Sequence, residues 1–246
     1  MGTLRYVYAI CRPFPAALSV ELTGVGGVPP KLLRHRDLIA VVGAVPERDF
    51  APEPLRRRLE DVHWLEATAR AHQGVLDALT AVTSPLPLRL ATVLRDDSGV
   101  RVMMDGRRED FLRALDRLDG RVEWDVKVYA ENTGTPENPE RADAFTRRLH
   151  DALSDVAEET RLRTLRNPDS SEAAGVDVLD AAYLVPRGDS EKFVERVNGS
   201  VGDEPGVRVV LRGPWAAYSF TGSTGLTGFT DLMGLTDLMG LRGNAP

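Results

Sequence analysis

The segment RVEWDVKVYA, residues 121–130, constrains the fold more than any other stretch of the chain. Val122, Trp124, Val126 and Val128 alternate with Arg121, Glu123, Asp125 and Lys127. A period of two belongs to a strand, because successive side chains leave a pleated backbone on opposite faces. One face is apolar and the other carries four charges of mixed sign. That predicts a strand of an antiparallel sheet with its charged face toward water. Downstream, Asn138 is placed to cap a helix with Pro139 at its first position. Phe145, Leu149, Ala152 and Val156 carry that helix to about Arg163. VLDAAYLV reads as a strand, and Asp189 or Ser190 opens a short helix through Phe193, Val194 and Val197. GVRVVLRG and WAAYSF read as extended, with Gly213-Pro214 bending or interrupting them. Strand, helix, strand, helix, strand with both helices on one face predicts an α+β sandwich of ferredoxin-like type. That type needs a fourth strand, for which residues 168–176 and WAAYSF are the candidates.

The chain has 246 residues, enough for two cores. In the first half, LRYVYAICR alternates Leu4, Tyr6, Tyr8 and Ile10 against Arg5, Val7 and Ala9. LSVELTG follows and ends in the turn Gly24–Gly27, and LIAVVGAV reads as a buried strand. Leu55, Leu59, Val62, Leu65, Ala69, His72, Leu76 and Leu79 recur at three and four, which predicts one long helix from Pro52 or Pro54 to Ser84-Pro85. The prolines of PLPLRLATVL keep that segment extended. Asp96-Asp97-Ser98-Gly99 makes a turn, and a second helical region through Val100, Met104, Phe111, Leu115 and Leu118 stops at Gly120. The expected organisation is α+β with two domains and a tail. Residues 1–120 form a mixed sheet with helices, residues 121–221 a modified ferredoxin-like sandwich, and residues 222–246 a flexible C-terminal tail.

The tail contains an exact tandem repeat, TDLMGL at 230–235 and again at 236–241. Two six-residue copies are too few for a solenoid, and the glycines weaken any helix. Yet Leu232, Met233, Leu238 and Met239 are apolar beyond what a linker needs. The tail is either a disordered extension or a peptide that folds on a partner with Leu and Met as adaptable anchors.

Little here points to chemistry. VHWLEATARAH, residues 62–72, holds two histidines, but at about 100° per residue nine steps set His63 and His72 about 180° apart on a helix. They cannot share a metal ion, and with Cys11 the only cysteine no thiolate site can form. No metal and no other cofactor is expected. His72 lies in the apolar stripe and reads as a core or interface histidine. Trp64, Thr68, Ala71 and Val75 form a second strip for another surface, either the other domain or a partner protein. No phosphate loop, dinucleotide fingerprint or nucleophile motif is present. A net charge of -6 argues against nucleic acid, and Arg56-Arg57-Arg58 reads as a solvated face. No stretch is apolar enough to span a bilayer and no signal peptide is evident, so cytoplasm is the default.

Several segments together resemble the gas vesicle protein F/L family (GvpF/GvpL). These are LRYVYAI, ARAHQGVLDAL followed by PLPLRLATVL, EWDVKVY, AYLVPR and GPWAAYSF, in the family's order over residues 4–220. Two departures are local. The family pattern P-L-R-F-G-T is here Pro87-Leu88-Arg89-Leu90-Ala91-Thr92, and G-P-W-P-P-Y is here Gly213-Pro214-Trp215-Ala216-Ala217-Tyr218. The resemblance implies a cytoplasmic, non-catalytic accessory or minor wall protein that contacts the small hydrophobic shell protein (GvpA) as gas vesicles assemble. Its contact residues would come from Trp64, Trp215, Tyr218 and the tail residues Leu232, Met233, Leu238 and Met239. The competing classes are an interaction adaptor working through the tail and a small-molecule binder with a ferredoxin-like cleft, both unrelated to gas vesicles.

Overall fold

A computed structural model of the protein describes residues 2–15, 18, 22–130, 138–165, 176–202 and 204–221. The chain divides into two compact units. One holds Met1–Gly120 and a stretch that begins at Trp215; the other holds Arg121–Pro214. The tail and most of NPDSSEAAGV and ENTGTPENPE lie outside the described residues, as does the middle of LSVELTG.

The first unit is built on β1 (Thr3–Cys11), β2 (Lys31–His35), β3 (Leu38–Pro46), β4 (Leu86–Pro87) and β5 (Val93–Leu94), in the order β2-β3-β1-β4 with β5 also paired to β1. The register of β1 against β3 shifts between Val7 and Ala9. This bulge resets the alternation: Tyr6, Tyr8, Ala9 and Cys11 share one core, and Ile10, though buried, leaves that face. The apolar run Leu38–Val42 is buried throughout, as expected of a strand covered on both faces.

The expected long helix is two pieces, α2 (Pro52–Arg58) and α3 (Val62–Thr80), preceded by a short α1 (Glu47–Phe50). The apolar stripe runs through the break, but Asp61 takes extended backbone and its carboxylate accepts the Trp64 N–H at 3.2 Å, capping a fresh helix. Val75, Leu76 and Leu79 of α3 pack on the β1 core. Arg56, Arg57 and Arg58 are exposed, with Arg58 paired to Asp49 and Arg56 to Glu53, so the basic run is a solvated face.

The second helical region is likewise two helices, α4 (Asp97–Gly106) and α5 (Arg108–Leu118). Asp96, expected in a plain turn, caps α4 by accepting the Gly99 N–H at 2.8 Å. The helix α4 lies against β1, β2 and β3 and is tied by ion pairs of Arg5 with Asp97 and Arg36 with Asp105, and His35 Nε2 lies 2.9 Å from Asp105. Arg108 at the start of α5 grips Asp37 with both prongs, at 2.9 and 2.5 Å.

The second unit is β6 (Arg121–Ala130), α6 (Asn138–Ser154), β7 (Glu159–Leu162), β8 (Val176–Pro186), α7 (Ser190–Asn198) and β9 (Val207–Trp215), with sheet order β7-β8-β6-β9. Val122, Trp124, Val126 and Val128 share one core with Leu179, Ala181, Tyr183 and Val185 of β8. Phe145, Leu149 and Leu153 of α6 and Phe193 and Val197 of α7 pack on it, so both helices cover the same face. This is the ferredoxin-like arrangement. Of the candidates for the fourth strand, residues 168–175 lie outside the described residues and WAAYSF supplies only Trp215 to β9; the fourth strand of the sheet is another segment. It is Glu159–Leu162, where the helix had been expected to continue, because α6 ends at Ser154 and the chain turns back to pair with β8. WAAYSF is not extended beyond Trp215: Tyr218–Phe220 is a 3-10 turn that packs with the first unit.

Among the described residues two non-glycine residues have left-handed backbone, Arg36 at φ 52° and Ala91 at φ 62°. Ala91 stands where the family pattern has glycine. A Cβ costs roughly 1 kcal/mol in that conformation, and glycine carries no such penalty. Ala91→Gly is expected to stabilise the first unit by up to about 1 kcal/mol, less what glycine loses in unfolded-chain entropy. Urea unfolding that shows A91G less stable than the parent would refute the strain.

Candidate protein-interaction surfaces

Of the residues singled out as contacts, Trp64, Trp215 and Tyr218 lie among the described residues. Trp64 sits half-buried on α3, its ring 5.3 Å from that of Phe50, which in turn meets Tyr6 edge-on at 6.0 Å. The second strip of α3 is thus satisfied within its own unit; Thr68 and Val75 are buried. Trp215, expected to be an exposed aromatic, is 9% exposed. Leu232, Met233, Leu238 and Met239 lie outside the described residues.

Tyr218 and His72 are brought together across 146 residues of chain. The Tyr6 hydroxyl accepts the Ala91 N–H at 3.0 Å and lies 2.9 Å from His72 Nδ1; the Tyr218 hydroxyl lies 2.5 Å from Nε2. This pattern fits a neutral imidazole that accepts from Tyr6 at Nδ1 and donates from Nε2 to Tyr218. Burial outweighs a favourable backbone contact from Leu88 and pushes the His72 pKa down to about 3. His63 is exposed on the opposite side of α3. Tyr8 completes the cluster, its ring 4.8 Å from that of Tyr6 and its hydroxyl accepting the Val25 N–H at 2.7 Å. Burial pushes the Tyr8 pKa up to about 12 and does the same to the Cys11 thiol, which therefore stays protonated and unreactive.

The charged face of β6 does not meet water. Glu123 and Asp125 are buried, at 0% and 3% exposure. They converge on Arg163, just beyond β7, whose Nη2 lies 3.1 Å from Glu123 and 2.6 Å from Asp125, while Nη1 lies 3.2 Å from Asp180 of β8. Asp180 also meets Lys127 at 3.1 Å. The three carboxylates overcome desolvation and raise the Arg163 pKa above its ordinary value. Sequence reasoning missed this cluster because its partners come from three strands. The available signal was acids alternating on one strand with an arginine 38 residues downstream of Asp125.

Among the described residues no group of His, Cys, Asp or Glu could hold a metal ion, and no helix is long and apolar enough to cross a membrane. An open depression of about 400 Å³ at the end of α7 is lined by Lys192, Glu195, Arg196, Gly199 and Ser200. It has few apolar walls and no converging acids, unlike a ligand pocket. What the units offer instead is sheet edge. Among the described residues the strand β9 has a strand neighbour, β6, on one side only, and it runs nine residues with Pro214 near its end. The opposite edge, β7, is four residues long.

The fold and these surfaces define a class: a two-unit α+β protein with a ferredoxin-like second unit. The family model described as "Gas vesicle synthesis protein GvpL/GvpF" matches residues 4–140 and 137–222. A gas vesicle protein L of Streptomyces sp. (strain CB03234) is 50% identical over 249 aligned positions, spanning 89% of this chain and 93% of that protein. The chain belongs to the GvpL/GvpF family. The crystal structure of gas vesicle protein GvpF from Anabaena sp. PCC7120 superposes with a TM-score of 0.70 at 17% identity, covering 89% of this chain and 96% of that one. GvpF from Microcystis aeruginosa gives 0.67 at 17% identity, covering 89% and 98%. At that identity the two structures establish the shared fold.

Proposed function

We propose that this chain is an accessory or minor structural component of gas vesicles, acting in the cytoplasm without catalysis, which binds the small hydrophobic shell protein (GvpA) and assists assembly. Family membership over nearly the whole chain carries the reading. The sheet edges supply a physical route. A shell subunit awaiting assembly must cover apolar surface and strand edges or aggregate. A partner offering an open strand can pair with it through main-chain hydrogen bonds, without a deep pocket. In the second unit β9 is the longer edge, and Val207, Val209 and Leu211 on it are partly buried against the core. Trp64, Trp215 and Tyr218 serve this role indirectly, by holding the first unit together, and direct apolar contact falls to the tail residues Leu232, Met233, Leu238 and Met239.

The test is co-expression of the affinity-tagged chain with the shell protein. Co-purification, and loss of gas vesicles on deletion of the gene, are the expected results. Normal vesicles in the deletion strain, with no shell protein recovered, would reject the proposal.

A further inference from the structure

The short edge strand β7 has β8 as its strand neighbour on one side and none on the other among the described residues. The register shows which of its groups face the open side. Glu159 pairs with Leu184 and Arg161 with Ala182, and just past the strand Arg163 N–H donates to the Asp180 carbonyl at 2.8 Å. In an antiparallel ladder, residues that exchange main-chain bonds with a neighbour alternate with residues that do not. Glu159, Arg161 and Arg163 therefore turn their main-chain groups toward β8, and Thr160 and Leu162 turn theirs outward. Side chains alternate too. Glu159 and Arg161 share one face, where they meet at 3.2 Å. Thr160 and Leu162 share the other, opposite Tyr183 and Ala181, and Leu162 is 65% exposed there.

Charges on an open edge usually repel further strands. Here an acid and a base flank Thr160, so the edge is complementary to itself. We propose that β7 pairs antiparallel with β7 of a second copy of this chain, with Thr160 opposite Thr160 of the second copy and Glu159 opposite its Arg161. A continuous pleated sheet allows only registers that set residues of the same face opposite each other. Centring the pair on Glu159 or on Arg161 sets that residue against its own copy, and centring it on Leu162 sets Arg161 against Arg163. Like charges directly opposite are destabilising, which leaves the register centred on Thr160. In that register the two Glu159–Arg161 pairs fall at non-hydrogen-bonded positions, where side chains stand closest. The other edge lacks this self-complementarity, because β9 carries Arg208 and Arg212 and no acid. Joining at β7 merges two four-stranded sheets into a continuous one with β9 at both ends.

The purified full-length chain should sediment as a monomer–dimer equilibrium that weakens with salt. E159R and R161E should each weaken dimerisation about tenfold or more, because each turns both attractive pairs into repulsive ones. An equal mixture of the two variants should dimerise again, now as a heterodimer, because every arginine then faces a glutamate. E159R/R161E exchanges the charges within one chain and should restore the homodimer; it serves where a single reversal harms folding. Oxidation of T160C gives a readout independent of affinity. The two copies of residue 160 lie opposite at about 5.5 Å between Cα atoms, within reach of a disulfide, and the native Cys11 is buried. A disulfide-linked dimer is expected from T160C and should be suppressed in T160C/R161E. A chain that stays monomeric at its highest soluble concentration rejects the proposal. So does a dimer that survives both single reversals, since it would use another surface.

Discussion

Arg163→Met is expected to destabilise the second unit strongly. Glu123 and Asp125 lie beneath the guanidinium with 0% and 4% of their side chains exposed. Removing the cation leaves buried carboxylates without their strongest partner, a change that costs roughly 3–5 kcal/mol. The unit's midpoint should fall by more than about 10 °C, given the enthalpy of a domain this size. The loss should concentrate where Arg163 joins strands, and amide exchange along β6 and β8 should quicken first. Two controls make the cause visible. R163M combined with E123Q and D125N should recover part of the stability, because the charges needing a cation are gone. R163M alone should fall less far below the parent in mild acid, because uncompensated buried carboxylates take up protons more readily. A midpoint within a degree or two of the parent would show that the ionic face carries little of the unit's stability.

Acid should loosen the first unit through His72. Its folded pKa lies near 3, against about 6.5 when exposed, so between those values the unfolded chain binds a proton that the native chain refuses. The contribution is fully present above pH 6.5 and is lost as pH falls toward 3. The slope is roughly 1.4 kcal/mol per pH unit, or about 5 kcal/mol across the window. Carboxylates titrate there too, so the measurement is a difference between the parent and H72Q, an uncharged residue that retains a donor and an acceptor. Urea midpoints from pH 7 to pH 4 should converge for the two proteins as pH falls. Parallel curves would mean that His72 is not the buried neutral group the geometry implies.

The α+β class and the ferredoxin-like order were legible from periodicity, because β6 and β8 keep one apolar face over their full length. The family resemblance was legible too, and was carried by ordered segments. The misses share a physical origin. Glu159–Leu162 puts no side chain into the core cluster, and Leu162 is 65% exposed, so four residues of mixed polarity could not announce a strand. Val156 and Thr160 also continue the helical spacing of α6 by coincidence. A charged alternation shows which side chains share a face, but not whether an arginine from another strand covers them; that is why β6 was read as facing water. The break at Asp61 was marked by its capping residue, yet the apolar stripe crossed it unbroken. Tyr218 could not be assigned from local pattern, since its partner is 146 residues away.

That separation also has a consequence in time. The first unit is begun by residues made before the second unit and closed by residues made after it. At about 5–20 residues per second, His72 waits roughly 7–30 s on the ribosome before Tyr218 exists. Until then Tyr6 and His72 lack their closing contact, whatever state the intervening unit has reached. A nascent chain stalled after Pro214 should therefore carry a first unit that still lacks its closing contact, although that unit was translated before the second.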